Sequence, residues 1–302
     1  MSAVDLVRLL ALSAIWGGSF ILLRITAPVL GPIALIEVRV LIAGLVLLAY
    51  ARLTGHDLRV RTYWRRYLVL GAVNSAIPFT LISAAEIWLD ASFASIVNAT
   101  APIWGAVIAA IWIRDALSPR AIVGLILGLA GVAGLVGLGP LRLGPDTGLA
   151  VVASLLGAAS YGLGSVYTKA RMVGAPTMGM TVCSQLGAAV VLLPLVPLSP
   201  PFSAPSLPVV LCVLALALVA TAIAYLIFFR LVASIGPTRA LTVTFLNPIF
   251  GIIWGALFLG EAITLSAVAG CAVILLGTAL VTGVRPAMLW ARSVPTREAV
   301  RG

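Results

Sequence analysis

Charge is what this chain has least of. Only 9% of its 302 residues are Asp, Glu, Lys or Arg, whereas 62% are apolar. A soluble globule of this size needs more polar surface than that. The composition therefore excludes a soluble domain and predicts a protein that lies in a lipid bilayer.

The residues that enzymes and metal sites use most are scarce as well. The single histidine, His56, lies in a basic loop, and the three cysteines lie far apart within apolar runs, so neither a disulfide framework nor a CxxC metal pair is present. The sequence also contains no HExxH, GxSxG or GxxxxGK[ST] motif. It therefore predicts that the protein is not an enzyme, that it uses no metal or cofactor, and that any transport draws energy from a gradient.

Apolar segments follow one another along the chain, separated by Gly, Pro or charge. A helix needs about twenty apolar residues to cross the hydrocarbon core. Ten such spans are predicted, with the approximate limits 6–26, 32–51, 66–86, 91–113, 119–138, 148–169, 177–197, 208–229, 236–258 and 264–284. Because the connections are short, apart from residues 51–65, function has to lie within the spans or at their ends.

The basic residues fall mainly on one side of the predicted membrane. With ten spans and both termini in the cytoplasm, 16 of the 19 Lys and Arg residues lie in cytoplasmic loops or tails, as the positive-inside rule requires. Only Arg24 and Arg142 lie outside, and Arg39 lies within a span. This distribution explains the net charge of +10 without a nucleic-acid partner.

A stretch of the first half returns in the second half. Residues 94–124 and 240–270, which are 146 positions apart, share nine identical residues without a gap. Pro102 matches Pro248 within this alignment. Since each half has an odd number of spans, the second half enters the membrane upside down, an arrangement typical of alternating access.

The predicted fold is an all-α membrane protein of ten transmembrane helices built from two inverted five-helix repeats. Residues 1–143 form the first repeat, and residues 144–302 form the second, inverted repeat with a short cytoplasmic C-terminal tail.

Several short motifs carry a resemblance to a known family. They are AIWGGSF at residues 14–20, Arg39 with Ala43, Pro102 followed by Asp115, and Pro248 followed by Gly260 and Glu261. Together they resemble the EamA type of the drug/metabolite transporter superfamily, which usually has Glu where this chain has Asp115. The resemblance covers almost the whole chain and implies two five-helix repeats, location in a bacterial inner membrane, and export of amino acids, other metabolites or drugs.

Glu37 and Arg39 are the charged residues that the sequence places well inside a span, where burial costs several kcal/mol unless the charge is paired or hydrated. Two positions apart on a helix they point about 200° from each other, so they cannot both face one cavity squarely. Arg39 is a candidate substrate ligand, and the alternative is a structural residue that binds carbonyl groups of a neighbouring helix. Glu37 is the candidate for proton coupling.

The prolines of the repeat predict a second feature of the site. Pro102 and Pro248 lack an amide hydrogen and so release the carbonyl groups of Asn98 and Thr244 near mid-membrane. Polar groups at matched depth in two repeats indicate a binding site between them. The prolines are therefore predicted hinges of a cavity, and the alternative is that they only shape the bundle.

Aromatic and amide side chains at similar depth complete the predicted central cavity, although each aromatic ring alone could also be ordinary packing. The predicted substrate-binding residues are Trp16, Ser19, Arg39, Asn74, Phe79, Asn98, Trp104, Tyr161, Gln185, Tyr225 and Asn247.

Two further patterns concern packing. Glycines on the fifth span, from Gly124 to Gly134, and on the tenth, Gly270 and Gly277, predict close helix contacts that join the two halves or form a homodimer. Asp115 and Glu261 are expected to favour the N-termini of the helices that follow them, and a role in gating is the alternative.

The favoured function is export of a small-molecule substrate across the lipid bilayer, with amino acids or similar amphipathic metabolites as cargo. A proton-coupled exporter of cationic drugs is the alternative and would require a deep acid such as Glu37. A membrane subunit that transports nothing is a third class, but it would not need polar groups at matched depth.

Overall fold

Ten helices make up the described part of the chain. The structure is a computed structural model that describes residues 2–138, 144–236, 240 and 242–283. Its helices are α1 Ala3–Leu30, α2 Pro32–Leu53, α3 Val60–Ala85, α4 Ala91–Trp112, α5 Pro119–Leu138, α6 Pro145–Arg171, α7 Thr177–Leu198, α8 Leu207–Ile235, α9 Val243–Leu259 and α10 Leu265–Thr282.

The prediction of an all-α membrane protein is confirmed. Nine of the helices in the described ranges are long and apolar enough to cross a membrane, and α9, with 17 residues, is only slightly shorter. Every predicted span coincides with one helix. Among the basic residues used for the orientation, Arg142, Arg239 and those from Arg285 onward lie outside the described residues.

Local chemistry explains how the first helices begin and end. The Ser2 hydroxyl accepts from the backbone N–H of Asp5 at 3.1 Å, and the Asp5 carboxylate accepts from the backbone N–H of Ser2 at 3.2 Å. This reciprocal pair satisfies donors that a helix start leaves open. Gly31 has φ +72°, which suits glycine, and Pro32 is tolerated in the first turn of α2. The reversal between α1 and α2 therefore needs a single connecting residue.

Contacts at the two ends of the bundle define how the helices run. At the end that carries most of the basic residues, the Arg66 guanidinium near the start of α3 donates to the carbonyl of Arg171 at 2.9 Å, the last residue of α6. At the opposite end, Arg24 near the end of α1 donates to the carbonyl of Glu86, which follows α3. Thus α1 and α6 run in opposite directions, which is compatible with the predicted inversion. These ends are called the basic end and the far end below.

The predicted glycine faces of α5 and α10 contact each other within a single molecule. A Cβ placed at Gly124 of α5 would lie 2.5 Å from the carbonyl oxygen of Gly277 of α10, and one at Gly131 would lie 2.8 Å from Ile274. Such distances require hydrogen as the side chain. The two helices that close the two repeats are therefore packed backbone to backbone, and the predicted homodimer stays a prediction.

Three helices are irregular where they pass the centre of the bundle. α3 and α8 contain π-helical segments at Ala72–Ala76 and Ala215–Ile223, which the sequence analysis did not predict. α4 is interrupted at residues 99–100, just before Pro102, whereas α9 continues through Pro248. π segments occur often at functional sites, and here all the irregular segments lie beside one cavity.

Candidate substrate cavity

A cavity of about 540 Å³ is lined by residues of α1, α2, α3, α4, α6, α8, α9 and the end of α10. The sequence predicts fourteen substrate-binding, coupling or hinge residues. Eleven of them line the cavity, and they come from both predicted repeats. These residues are Trp16, Ser19, Arg39, Asn74, Phe79, Asn98, Pro102, Tyr161, Tyr225, Asn247 and Pro248.

The cavity opens toward the basic end. Its lining includes Ala109, Lys169 and Thr282, which lie at or near the ends of their helices on that side, and the Lys169 side chain is 66% exposed. Toward the far end, the lining residues Leu23 and Ile82 are buried. The cavity is therefore open at the basic end and closed at the far end.

Arg39 is held in place on the cavity wall by two contacts. Its Nε donates to Thr221 Oγ1 at 3.0 Å, and its guanidinium carbon lies 4.0 Å from the centre of the Phe79 ring. Thr221 in turn donates to the carbonyl of Leu216 at 2.8 Å, a five-residue spacing that the π segment of α8 provides. Arg39 thus binds a side chain rather than the carbonyl groups that the structural alternative expected.

Most of the guanidinium remains available. Arg39 is only 4% exposed, and in the part of the chain that the structure describes its other N–H groups have no hydrogen-bond partner. Tyr161 and Tyr225 line the same cavity and are close enough to interact with its charge. A buried cation with unused donors is costly to maintain without an anionic or polar ligand.

Amide groups face the cavity beside both prolines. Asn98 and Asn247 line it, and among the described residues the Oδ1 atom of each has no hydrogen-bond partner. The interruption of α4 next to Asn98 is stabilised from α10, because Thr278 Oγ1 donates to the carbonyl of Ala99 at 3.0 Å. The two amides therefore offer hydrogen-bonding capacity that the protein itself does not use.

Aromatic rings form the apolar walls. The rings of Trp16 and Tyr225 lie 6.2 Å apart, centre to centre, and those of Phe79 and Tyr161 lie 6.0 Å apart, both in edge-to-face arrangements. Phe228 packs 5.6 Å from Trp16 and also lines the cavity. Sequence reasoning missed Phe228, although it lies one helical turn after Tyr225 and so shares its face.

Three residues singled out in the sequence do not line the cavity. Gln185 is fully buried between α7 and α3, where its Nε2 donates to Ser75 Oγ at 2.9 Å. Trp104 is half-buried outside the cavity. Glu37 is 7% exposed, and its Oε2 has no partner among the described residues. Since Arg39 points into the cavity, the helical geometry turns Glu37 away from it.

The charge on the described lining of the cavity is positive. Arg39 and Lys169 are its charged residues, and no carboxylate is among them. Lys169 Nζ lies 2.9 Å from the Asp115 carboxylate, but both side chains are largely exposed, so solvent screens this pair and its contribution to stability is small.

Glu261 does not act where the sequence analysis expected. Its carboxylate accepts from the backbone N–H groups of Ala91 at 2.8 Å and Ser92 at 3.0 Å, and from the Ser92 hydroxyl. It therefore caps α4 of the other half at the far end, whereas Thr264 caps the following helix, α10, through the N–H of Ala267. Asp115 pairs with Lys169 of α6, and the nearby Ser118 caps the following helix, α5, through the N–H of Ala121. The hydroxyl residues Ser118 and Thr264 therefore provide the local caps of α5 and α10, whereas the two carboxylates make tertiary contacts.

Glu86 is a buried acid that sequence reasoning missed. The predicted third span ended at residue 86, so this glutamate counted as a boundary residue. The structure ends α3 at Ala85 and places Glu86 in the α3–α4 connection, where it is fully buried and neither carboxylate oxygen has a partner among the described residues. Burial raises the pKa of Glu86 well above its ordinary value, the nearby Glu261 raises it further, and Arg24 and Arg39 lower it. Burial and Glu261 also raise the pKa of Asp90.

The fold and cavity together define a multi-pass membrane protein built like a solute carrier. The chain belongs to the EamA-like transporter family, which matches residues 6–137 and 148–283. This confirms the resemblance stated from the motifs.

Similar proteins agree with this family. An uncharacterized transporter of Bacillus subtilis, YvbV, is 29% identical over 88% of this chain and 87% of its own length. An uncharacterized inner membrane transporter of Escherichia coli K12, YedA, is 28% identical over 91% of this chain and 89% of its own length. A solved structure superimposes with a TM-score of 0.65 at 21% identity, covering 90% of this chain and 95% of the other, which supports the fold alone.

Proposed function

We propose that this protein is a secondary transporter that exports small organic solutes carrying a carboxylate, with amino acids or similar amphipathic metabolites as the favoured class. The observation that carries the proposal is Arg39, a buried guanidinium with unused donors on the wall of a closed-ended cavity. Membership of a transporter family supports the general activity.

Arg39 suits a carboxylate better than it suits a neutral group. A guanidinium presents its N–H groups in a planar fork that matches the two oxygens of a carboxylate. Thr221 and Phe79 hold the fork in one orientation, so a ligand would lose little affinity to ordering it. The described lining contains no carboxylate. Glu86 is close enough to interact with the charge of Arg39, but its carboxylate forms no hydrogen bond with it, so the unused donors of Arg39 are left for the substrate.

The rest of the cavity suits an amphipathic amino acid. Asn98 and Asn247 provide unpartnered amide oxygens that an ammonium group could donate to, and the rings of Trp16, Phe79 and Tyr225 provide an apolar surface for a side chain. The volume of about 540 Å³ lies within the range of small-molecule pockets. A cationic drug would find no counter-charge among the described lining residues, which argues against the alternative exporter.

Export across a bacterial inner membrane by alternating access completes the proposal. The inner-membrane relative from Escherichia coli supports the location, and the distribution of basic residues supports cytoplasmic termini. In that orientation the cavity opens to the cytoplasm, where an exporter loads its substrate.

Thermal unfolding of the purified protein tests the substrate class. Amino acids are compared with amines of the same side chain, which lack the carboxylate, and with amphipathic cations. A ligand that binds only the folded state raises the melting temperature, so we expect amino acids to raise it and the matched amines to have no effect. Counterflow of the stabilising solute in liposomes then establishes transport. Stabilisation by the cations alone would favour the drug exporter, and failure to move any solute would leave a non-transporting subunit.

A further inference from the structure

Two contacts close the far end of the cavity: one reaches the connection between α3 and α4, and the other reaches the start of α4. Arg24 of α1 donates through one nitrogen to the carbonyl oxygens of Glu86 at 2.5 Å and Ile87 at 2.7 Å. Glu261, from the connection between α9 and α10, caps the start of α4 at Ala91 and Ser92. Opening the far end requires these contacts to separate.

Glu86 takes part in the first contact through its backbone carbonyl, but its side chain takes part in neither contact. Arg24 binds the backbone carbonyl of Glu86 rather than its carboxylate, which is fully buried and has no donor among the described residues. The charges that act on it are Arg24 from α1, Arg39 from α2 and Glu261 from the α9–α10 connection; Asp90 lies on its own connection. A carboxyl group in such surroundings carries a proton, since ionisation without donors or water is too costly.

We propose that Glu86 is a proton-binding site and that its bound proton holds the far end of the carrier closed. The proposal rests on the alternating-access function proposed above. Loss of the proton would place a negative charge beside Glu261, which is already committed to the start of α4, and the new charge would need water that only an opened far end admits. A metal ion fits less well, because no grouping of three or more His, Cys, Asp or Glu in the described ranges could hold one.

The direction of the pH effect follows from linkage. The closed end binds the proton more tightly than an opened, hydrated end, where the Glu86 pKa returns toward its ordinary value. The closed state is therefore favoured at low pH and loses this advantage as the pH rises through the raised pKa. Between the two pKa values the ratio of open to closed molecules changes by up to about tenfold per pH unit.

Labelling of the native protein tests whether Glu86 carries a proton. A hydrophobic carbodiimide reacts with protonated carboxyl groups in apolar surroundings, and peptide mass spectrometry locates the adduct. We expect an adduct on Glu86 at neutral pH that disappears at alkaline pH, and none on the exposed Asp57. Absence of an adduct on Glu86 from acid to neutral pH would overturn the proposal without any variant that has to fold.

Cysteine accessibility tests whether the proton controls closure. In a background without native cysteines, Leu89→Cys places a thiol at a fully buried position in the same connection, three residues after Glu86, and an impermeant maleimide measures its accessibility. Ala204→Cys, exposed in the connection between α7 and α8 at the same end, corrects for the pH dependence of the thiol. We expect the corrected rate for Leu89→Cys to rise up to about tenfold per pH unit, and to become slow and independent of pH when Glu86→Gln is added.

If the labelling rate of Leu89→Cys still depends on pH after Glu86→Gln is added, the proposal is contradicted. If the pH dependence is lost in Glu37→Gln but not in Glu86→Gln, the proton-binding role belongs to Glu37. Neither labelling experiment needs a substrate. A negative result would therefore remove the proton site and leave the proposed transport function standing. A protein that labels as expected but moves no solute would keep the proton site and remove the transport function.

Discussion

At the scale of single residues, the buried cation Arg39 is held in one orientation by its neighbours. Arg39 contacts Thr221 and Phe79, yet neither contact neutralises its charge. If Arg39 served only for packing, an apolar side chain of the same volume would usually give a protein that is at least as stable. The arrangement therefore favours a role that needs the charge and a fixed direction.

Arg39→Gln is expected to abolish the thermal stabilisation by amino acids, because it removes the cation that would bind the carboxylate. Arg39→Lys keeps the charge but loses the fork and the bond to Thr221, so affinity should fall by about 10- to 100-fold, the equivalent of one charged hydrogen bond. Titration of the melting temperature with ligand measures both. Unchanged affinity in Arg39→Gln would show that the carboxylate binds elsewhere.

Asn247→Ala is expected to weaken discrimination between an amino acid and the carboxylic acid that lacks its amino group. The amide oxygen of Asn247 has no partner in the described part of the chain, so a bound ammonium would be its natural donor. The loss should be about tenfold or less, as for one hydrogen bond in a polar cavity. Competition in the counterflow assay measures the ratio. Equal losses for both ligands would assign Asn247 to packing rather than to recognition.

Much of the cavity lining could be predicted because polar residues at mid-span depth are costly without a purpose, and because aromatic residues are otherwise found mainly at the membrane interface. The side of each helix that faces the cavity could not be predicted. Lipid and core are both apolar, so the helices that carry Trp104 and Gln185 show no amphipathic pattern that separates the cavity side from the others. Glu86 was missed for another reason: an apolar run marks where a span ends, but it gives no sign that the following connection folds back into the protein.

At the scale of the helices, the contact of α5 with α10 depends on glycine at particular positions. Gly277→Ala is expected to lower the free energy of unfolding by about 1–3 kcal/mol through overpacking, since a Cβ there would lie 2.5 Å from the carbonyl oxygen of Gly124. Gly134→Ala on α5 is the matched control, because nothing lies within 4 Å of its added Cβ. Melting temperatures in detergent compare the two. Equal melting temperatures would mean that the helices separate more easily than this packing implies.

The interruptions within the helices were only partly predictable. Pro102 explains why α4 breaks, since it removes an amide donor, but Pro248 has the same chemistry and α9 continues through it. The difference lies in the neighbours, because Thr278 of α10 binds the carbonyl of Ala99 beside the break. The π segments have no sequence signal of their own. In α8 the segment supports Thr221, and only the assembled structure shows that Thr221 meets Arg39.

At the scale of the whole molecule, a carrier requires one sequence to support two arrangements whose free energies differ by only a few kcal/mol. Composition and the internal repeat could predict ten helices and a cavity at the prolines. They could not predict which end is closed, because that depends on contacts such as Glu261 with the start of α4, which join residues about 170 positions apart in the chain.

Sidedness of the open cavity gives a prediction for the complete molecule. In a background without native cysteines, Ala109→Cys places a thiol on the cavity lining near the basic end, and Ala204→Cys places one in the exposed connection at the far end. An impermeant maleimide is expected to modify Ala109→Cys in inside-out vesicles and Ala204→Cys in right-side-out vesicles, because basic residues mark the cytoplasmic side. A saturating stabilising solute should slow modification of Ala109→Cys and leave that of Ala204→Cys unchanged, since only the first thiol lies in the cavity. Modification of both thiols from the same side would rule out the ten-helix topology. Modification of each thiol from the reversed side would mean that the cavity opens away from the cytoplasm.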